Sequence, residues 1–110
     1  MTKERNALVV GATGIVGGNI SERLLADGWT VYGLARRPER APKGTIPLTA
    51  DLNDREGVFA AIASAPSITH LFQASWTPAD TEEQAGEINS RHLSNVLDGL
   101  KAAGHQVEHV

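Results

Sequence analysis

Gly11-Ala12-Thr13-Gly14-Ile15-Val16-Gly17-Gly18 is a glycine-rich stretch with the composition of a phosphate-holding turn. An apolar run, Ala7 to Val10, precedes it and an amphipathic run, Ile15 to Asp27, follows. Glycines between a strand and a helix make a turn whose backbone N–H groups, with the positive end of the helix dipole, can hold the pyrophosphate of a dinucleotide. Each glycine has its own physical task. Gly11 lets the chain turn off the strand, Gly14 lets the backbone approach a phosphate, and Gly17 lets the helix pack closely. Gly11, Thr13, Gly14, Ile15, Val16 and Gly17 are the candidate phosphate-side residues. The spacing G-x-x-G-x-x-G is one residue longer than G-x-G-x-x-G. No Lys-Ser or Lys-Thr follows, which argues against a phosphate-loop NTPase.

About twenty residues further on, an NAD site places an Asp or Glu against the ribose 2′-hydroxyl. Here Gly33-Leu34-Ala35-Arg36-Arg37 stands instead, with no carboxylate before Glu39. Two guanidinium groups suit the 2′-phosphate of NADP, which arginine holds through charge-assisted forks. Asp51-Leu52 closes the third predicted strand, where Asp51 either accepts from the adenine amino group or serves only as a turn residue. Gln73, Ala74, Ser75 and Trp76 end the fourth strand and are expected to border the nicotinamide side, with Trp76 a packing residue or a substrate wall. Asn89, at the edge of a helix face, bridges a strand carbonyl or a water near the site, or partners a loop carbonyl. The four histidines, His70, His92, His105 and His109, show no metal-ligand spacing, and no G-x-S-x-G surrounds a serine. No metal and no catalytic residue is assigned.

The elements that must position these groups follow from periodicity. Strands are expected at Ala7 to Val10, Thr30 to Ala35, Ile46 to Ala50 and Thr69 to Ala74, with a fifth from Val107 to Val110. Val16, Ile20, Leu24 and Leu25 give the first helix an apolar face that ends at Gly28. Asn53 and Glu56 pair as a capping box for a second helix, with Val58, Phe59 and Ile62 inward. Thr81 and Gln84 do the same for a long helix to about Ala103, with Ile88, Leu93, Val96, Leu97 and Leu100 inward and Gly104 as the stop. This alternation predicts an α/β fold, a Rossmann-type doubly wound parallel sheet in the order 3-2-1-4-5, truncated after strand five.

The whole chain agrees with one such domain. It has 110 residues, 41% hydrophobic and 21% charged, a net charge of −3 and no cysteine. Disulfides and thiolate metal sites are excluded, and bulk charge gives no hold on nucleic acid. No secretory or membrane-length apolar run is present, so a cytoplasmic protein with no membrane partner is the expectation. The end of the chain at strand five suggests the N-terminal, NADP-binding part, residues 1–110, of a longer enzyme. Its unpaired fifth strand is expected to favour self-association.

Gly11-Ala12-Thr13-Gly14-Ile15-Val16-Gly17, Trp29-Thr30-Val31-Tyr32-Gly33-Leu34-Ala35-Arg36-Arg37-Pro38 and Thr69-His70-Leu71-Phe72-Gln73-Ala74-Ser75-Trp76 together resemble extended or atypical short-chain dehydrogenases/reductases. The match is nearest to the progesterone 5β-reductase/iridoid synthase-like group and covers essentially the whole chain. The resemblance implies an NADPH-dependent reductase that delivers hydride to an activated alkene or carbonyl of a small molecule. It maps the family's arginine pair, strand-three Asp and helix Asn onto Arg36, Arg37, Asp51 and Asn89. It also implies that the catalytic Tyr and Lys lie beyond strand five; Tyr32, on strand two, is not that Tyr. Two other readings stay open: an NAD(P)-dependent nucleotide-sugar epimerase or dehydratase, and a non-catalytic NADP-sensing module.

Overall fold

The structure is a computed structural model that describes residues 5–105 and 107. Four strands, β1 (Asn6–Val10), β2 (Thr30–Ala35), β3 (Ile46–Thr49) and β4 (His70–Gln73), form one parallel sheet in the order β3-β2-β1-β4. Three helices connect or follow them: α1 (Ile15–Ala26), α2 (Arg55–Ala63) and α3 (Glu82–Ala102). A single 3-10 turn, Pro38–Arg40, lies between β2 and β3. The expected strand order holds for the first four strands. The fifth falls on residues 107–110, of which only Val107 is described; it has no strand structure and packs on the core. The expected self-association edge therefore lies outside the described residues.

Alternation along the strands splits the core in two. Leu8, Val10, Tyr32, Leu34, Leu48 and Leu71 face α2 and α3 through Val58, Ile62, Val96 and Leu100. Ala7, Val9 and Val31 face α1 through Leu24. β1 has partners on both sides, Asn6 to Val10 beside Thr30 to Leu34 and Ala7 to Val10 beside His70 to Gln73. Its last four residues are fully buried, which is why they read as an unbroken apolar run. Each fully buried Val, Leu or Ile contributes roughly 1.5–3 kcal/mol.

The helices depart from the sequence expectations in instructive ways. α1 buries Gly17, Ser21 and Leu24, whereas Val16 stands 61% exposed. Small residues bring α1 close to the turn before it, and the Ser21 hydroxyl is satisfied by donating to the Gly17 carbonyl at 2.8 Å. The α2 cap is Asp54, whose Oδ1 accepts from the Gly57 N–H at 3.1 Å; Asn53 is one residue too early and is used elsewhere. α3 is capped as expected, with Gln84 N–H donating to Thr81 Oγ1 at 3.1 Å. Its buried face includes His92 and Asn95, while Leu97 is exposed. Gly28 and Gly104 follow α1 and α3 with φ of +86° and +78°, the left-handed geometry that ends helices.

Candidate dinucleotide-binding cleft

β2 and β4 lie on opposite sides of β1, so the winding of the chain reverses beside β1. In open α/β sheets, the crevice at the carboxyl ends of the strands at such a point is the usual ligand site. A cleft of about 590 Å³ opens there. Its walls are the β1–α1 turn (Gly11, Thr13, Gly14, Ile15, Val16), the end of β2 (Leu34 to Arg36), the β3–α2 turn (Ala50 to Asn53), the segment after β4 (Ala74 to Thr77), and His92 from α3.

The three motif glycines separate into two structural and one open. Gly11 has φ +86°, and a Cβ there would sit 2.8 Å from the Ser75 backbone nitrogen. A Cβ on Gly17 would collide with the Gly11 carbonyl. These two let the segment after β4 and the first turn of α1 close on the turn. Gly14 differs: its φ is −82°, and an added Cβ would meet only the Gly11 oxygen, at an ordinary 3.5 Å. Folding does not require glycine at position 14, so the open cleft above it is available to a closely approaching group. Gly14 is also the N-cap of α1 and offers no side-chain acceptor, and the first turn contains no acidic residue. The helix N–H groups and dipole are left for an anion.

Beside the turn, a second depression of about 490 Å³ is lined by Thr13, Arg36, Arg37 and Arg40. Among the described residues, none of the three guanidinium groups has a carboxylate partner. Arg40 is not among the residues that the sequence marks, because it stands apart from the Arg36-Arg37 pair in a stretch without periodicity. The 3-10 turn, with Arg40 N–H on the Arg37 carbonyl at 3.2 Å, brings it beside the pair.

The β3–α2 turn is tied down from α3. Asp51 Oδ1 accepts from the Asn53 N–H at 2.9 Å, and the Asp51 carbonyl accepts from the Asp54 N–H at 2.9 Å. His92 Nε2 lies 2.8 Å from Asn53 Oδ1. Asn95 Nδ2 donates to the Leu52 carbonyl at 3.0 Å, and its Oδ1 accepts from Arg55 at 3.2 Å. Arg55 in turn pairs with Asp98 at 3.0 Å. Burial, helped by the neighbouring Arg91 charge and opposed by Asp51, holds the His92 pKa below its ordinary 6.5. His92 and Asn95 were not foreseen as site supports, since periodicity marks a buried face by its apolar residues. Polar residues at positions 92 and 95, in step with Val96 and Gly99, were the available signal.

After β4 the chain crosses the mouth of the cleft. Gln73 Nε2 donates to Ser75 Oγ at 2.9 Å, while Gln73 Oε1 is buried without a partner among the described residues. Trp76 is 66% exposed and borders both the cleft and a second hollow formed with the start of α3. Asn89 clamps this segment: Oδ1 accepts from the Thr77 N–H at 2.8 Å, and Nδ2 donates to the Thr77 carbonyl at 2.8 Å and the Ala85 carbonyl at 2.7 Å. Asn89 thus takes the loop-carbonyl role and reaches the cleft only through Thr77.

The sequence-chosen residues mostly converge on the cleft. Gly17 lies beneath the turn, Arg37 lines the neighbouring depression, Gln73 hydrogen-bonds to Ser75 and Asn89 stands behind the loop; the others line the cleft itself. The donor set fits a phosphorylated dinucleotide: an uncapped helix start, an open glycine and three cations on one side, a carboxylate and an amide on the other. Among the described residues, no group of His, Asp and Glu could hold a metal ion, and no helix is long and apolar enough to cross a membrane.

Comparison with known proteins gives the same picture. Residues 7–110 match the model of the NAD dependent epimerase/dehydratase family. The chain is 37% identical to an (S)-8-oxocitronellyl enol synthase of Nepeta cataria and 34% identical to the 3-oxo-Delta(4,5)-steroid 5-beta-reductase of Arabidopsis thaliana. Each match covers 97% of this chain and 30% of the relative, so the chain spans under a third of these relatives' length. A UDP-glucose 4-epimerase of Thermus thermophilus, solved in complex with NAD, superposes with a TM-score of 0.76 at 30% identity, over 90% of this chain and 34% of that one.

Proposed function

The chain belongs to the NAD dependent epimerase/dehydratase family, and from that premise we propose that residues 1–110 are the NADPH-binding part of a short-chain dehydrogenase/reductase-type reductase acting on an activated alkene or carbonyl. The observation that carries NADPH over NADH is the depression of Arg36, Arg37 and Arg40 beside Thr13, which has no carboxylate in its lining among the described residues. An NAD site would put an acid there to hold two ribose hydroxyls. Three unpaired cations would repel nothing on a 2′-phosphate and can clamp it through charge-assisted hydrogen bonds.

The other residues have consistent tasks. The first N–H groups of α1, over the open Gly14, hold the pyrophosphate. Asp51 and Leu52 border the adenine, and Ala74, Ser75 and Trp76 border the nicotinamide end. Exposed Ile15, Val16 and Trp76 give the rim an apolar surface that sheds water once a ligand lies against it. When bound, the reduced nicotinamide supplies the hydride. Thr77 and its Asn89 clamp fix the segment on which the nicotinamide end rests. The alkene or carbonyl substrate class follows the names of the plant relatives and is proposed on that likeness.

A specific observation keeps a second reading in view: the epimerase superposition comes from a complex with NAD. Calorimetric titration separates the two. NADPH is expected to bind at least about tenfold more tightly than NADH, the effect of one charge-assisted hydrogen bond. Equal affinity, or a preference for NADH, would overturn the NADP reading and favour the epimerase-type one.

A further inference from the structure

Asn53 is exposed at the edge of the cleft, yet its side chain is held from behind by a histidine that is only 2% exposed. A carbonyl oxygen only accepts, so His92 Nε2 carries the proton toward Asn53 Oδ1. His92 Nδ1 is then the bare acceptor, buried without a partner among the described residues. With its oxygen committed to His92, Asn53, which lines the cleft, keeps an Nδ2 with two donors and no partner among the described residues. One residue pair away, Asp51 spends Oδ1 on the Asn53 N–H and keeps the other carboxylate oxygen free. The rim therefore carries an acceptor and a donor fixed to each other through one short turn, and Asn95 pins the intervening Leu52 carbonyl.

We propose that His92 is a positioning residue that orients the Asn53 amide so that Asn53 and Asp51 together read a 6-aminopurine edge. The proposal rests on the nucleotide reading above and deepens it. An adenine edge offers an amino donor beside a ring-nitrogen acceptor, the complement of carboxylate and amide NH2. A 6-oxopurine puts an acceptor against the Asp51 carboxylate and a ring N–H donor against the Asn53 NH2, so both contacts are lost. Burial keeps the His92 ring neutral near pH 7, so it carries a single N–H, and that one is directed at Asn53.

The test uses the full chain, with NADPH and its hypoxanthine analogue as probes in calorimetric titration. The wild type is expected to prefer NADPH by at least about tenfold, the loss of these two hydrogen bonds. His92→Phe, which keeps the ring volume without the N–H, and Asn53→Ala are each expected to cut that preference by about threefold or more, with affinity for the analogue nearly unchanged. Asn53 is exposed, so its variant keeps the test valid if His92→Phe fails to fold. Equal affinity of the wild type for both dinucleotides would overturn the proposal while leaving the NADP reading intact. So would a preference unmoved by Asn53→Ala. Failure of the wild type to bind either ligand would remove the nucleotide reading and this proposal with it.

Discussion

Arg36 and Gly14 separate what the site recognises from what the fold needs. Arg36 is exposed and without a carboxylate partner among the described residues, so reversing its charge disturbs no internal pair. Arg36→Glu is expected to lower NADPH affinity by about 10–100-fold and to narrow or reverse the preference over NADH, measured by calorimetry. Gly14 has room for a Cβ in the protein but not in a cleft filled by phosphate. Gly14→Val is expected to abolish NADPH binding while the melting temperature moves by no more than about 4–8 °C, roughly 1 kcal/mol. Normal binding by that variant would mean that the phosphates do not lie over this turn. At His92 the lowered pKa has a definite sign. As pH falls through 6.5, an unfolded histidine takes up a proton that the buried ring resists. Its contribution is fully present above that pH and is lost as pH falls toward the folded value. Melting curves between neutral and acid pH are expected to show this loss in the wild type and a shallower slope in His92→Phe; identical slopes would count against it.

At the scale of elements, α3 does more than cover the sheet. One face buries Val96 and Leu100, and along the same helix Asn89, His92 and Asn95 reach three separate backbone or side-chain targets at the cleft. The two connections of the site, after β3 and after β4, are thereby fixed to one helix. Asn89→Ala removes three hydrogen bonds and leaves both backbone polar groups of Thr77 without their partner. It is expected to cost about 1–3 kcal/mol in urea denaturation and to weaken dinucleotide binding as well. A variant with unchanged stability would show that the segment after β4 holds its own shape.

For the whole molecule, the four-stranded sheet is small, and a ligand that bridges several of its loops adds stability by mass action. At a hundredfold excess over Kd, NADPH is expected to add about 2.7 kcal/mol, which for a domain of this size raises the melting temperature by roughly 10–20 °C. NADH at the same concentration is expected to give a smaller rise. Turnover is a separate matter. Tyr32 is buried in the core, and among the described residues no Tyr or Lys lines the cleft.

The first four strands, the glycine turn, the neighbouring arginines and the Thr81 cap are legible in the sequence because each depends on neighbours close in the chain. A buried parallel strand must be apolar throughout, a tight turn must admit positive φ, and a cap needs its acceptor three residues away. The residues that were misread depend on distant partners. Val16 continues the periodicity of α1 yet faces the cleft, because Gly17 and Ser21 supply the close-packed side. Asn53 has the residue type of a cap but is captured by His92, thirty-nine positions away, leaving Asp54 to cap α2. Arg40 joins Arg36 and Arg37 only because a 3-10 turn folds it back beside Thr13. Neighbours along the chain set which segments become strand, turn and helix, and hence the edge at which a cleft forms. The tertiary structure alone decided which polar side chains meet there, because hydrogen bonds between residues forty positions apart leave no periodic trace along the chain.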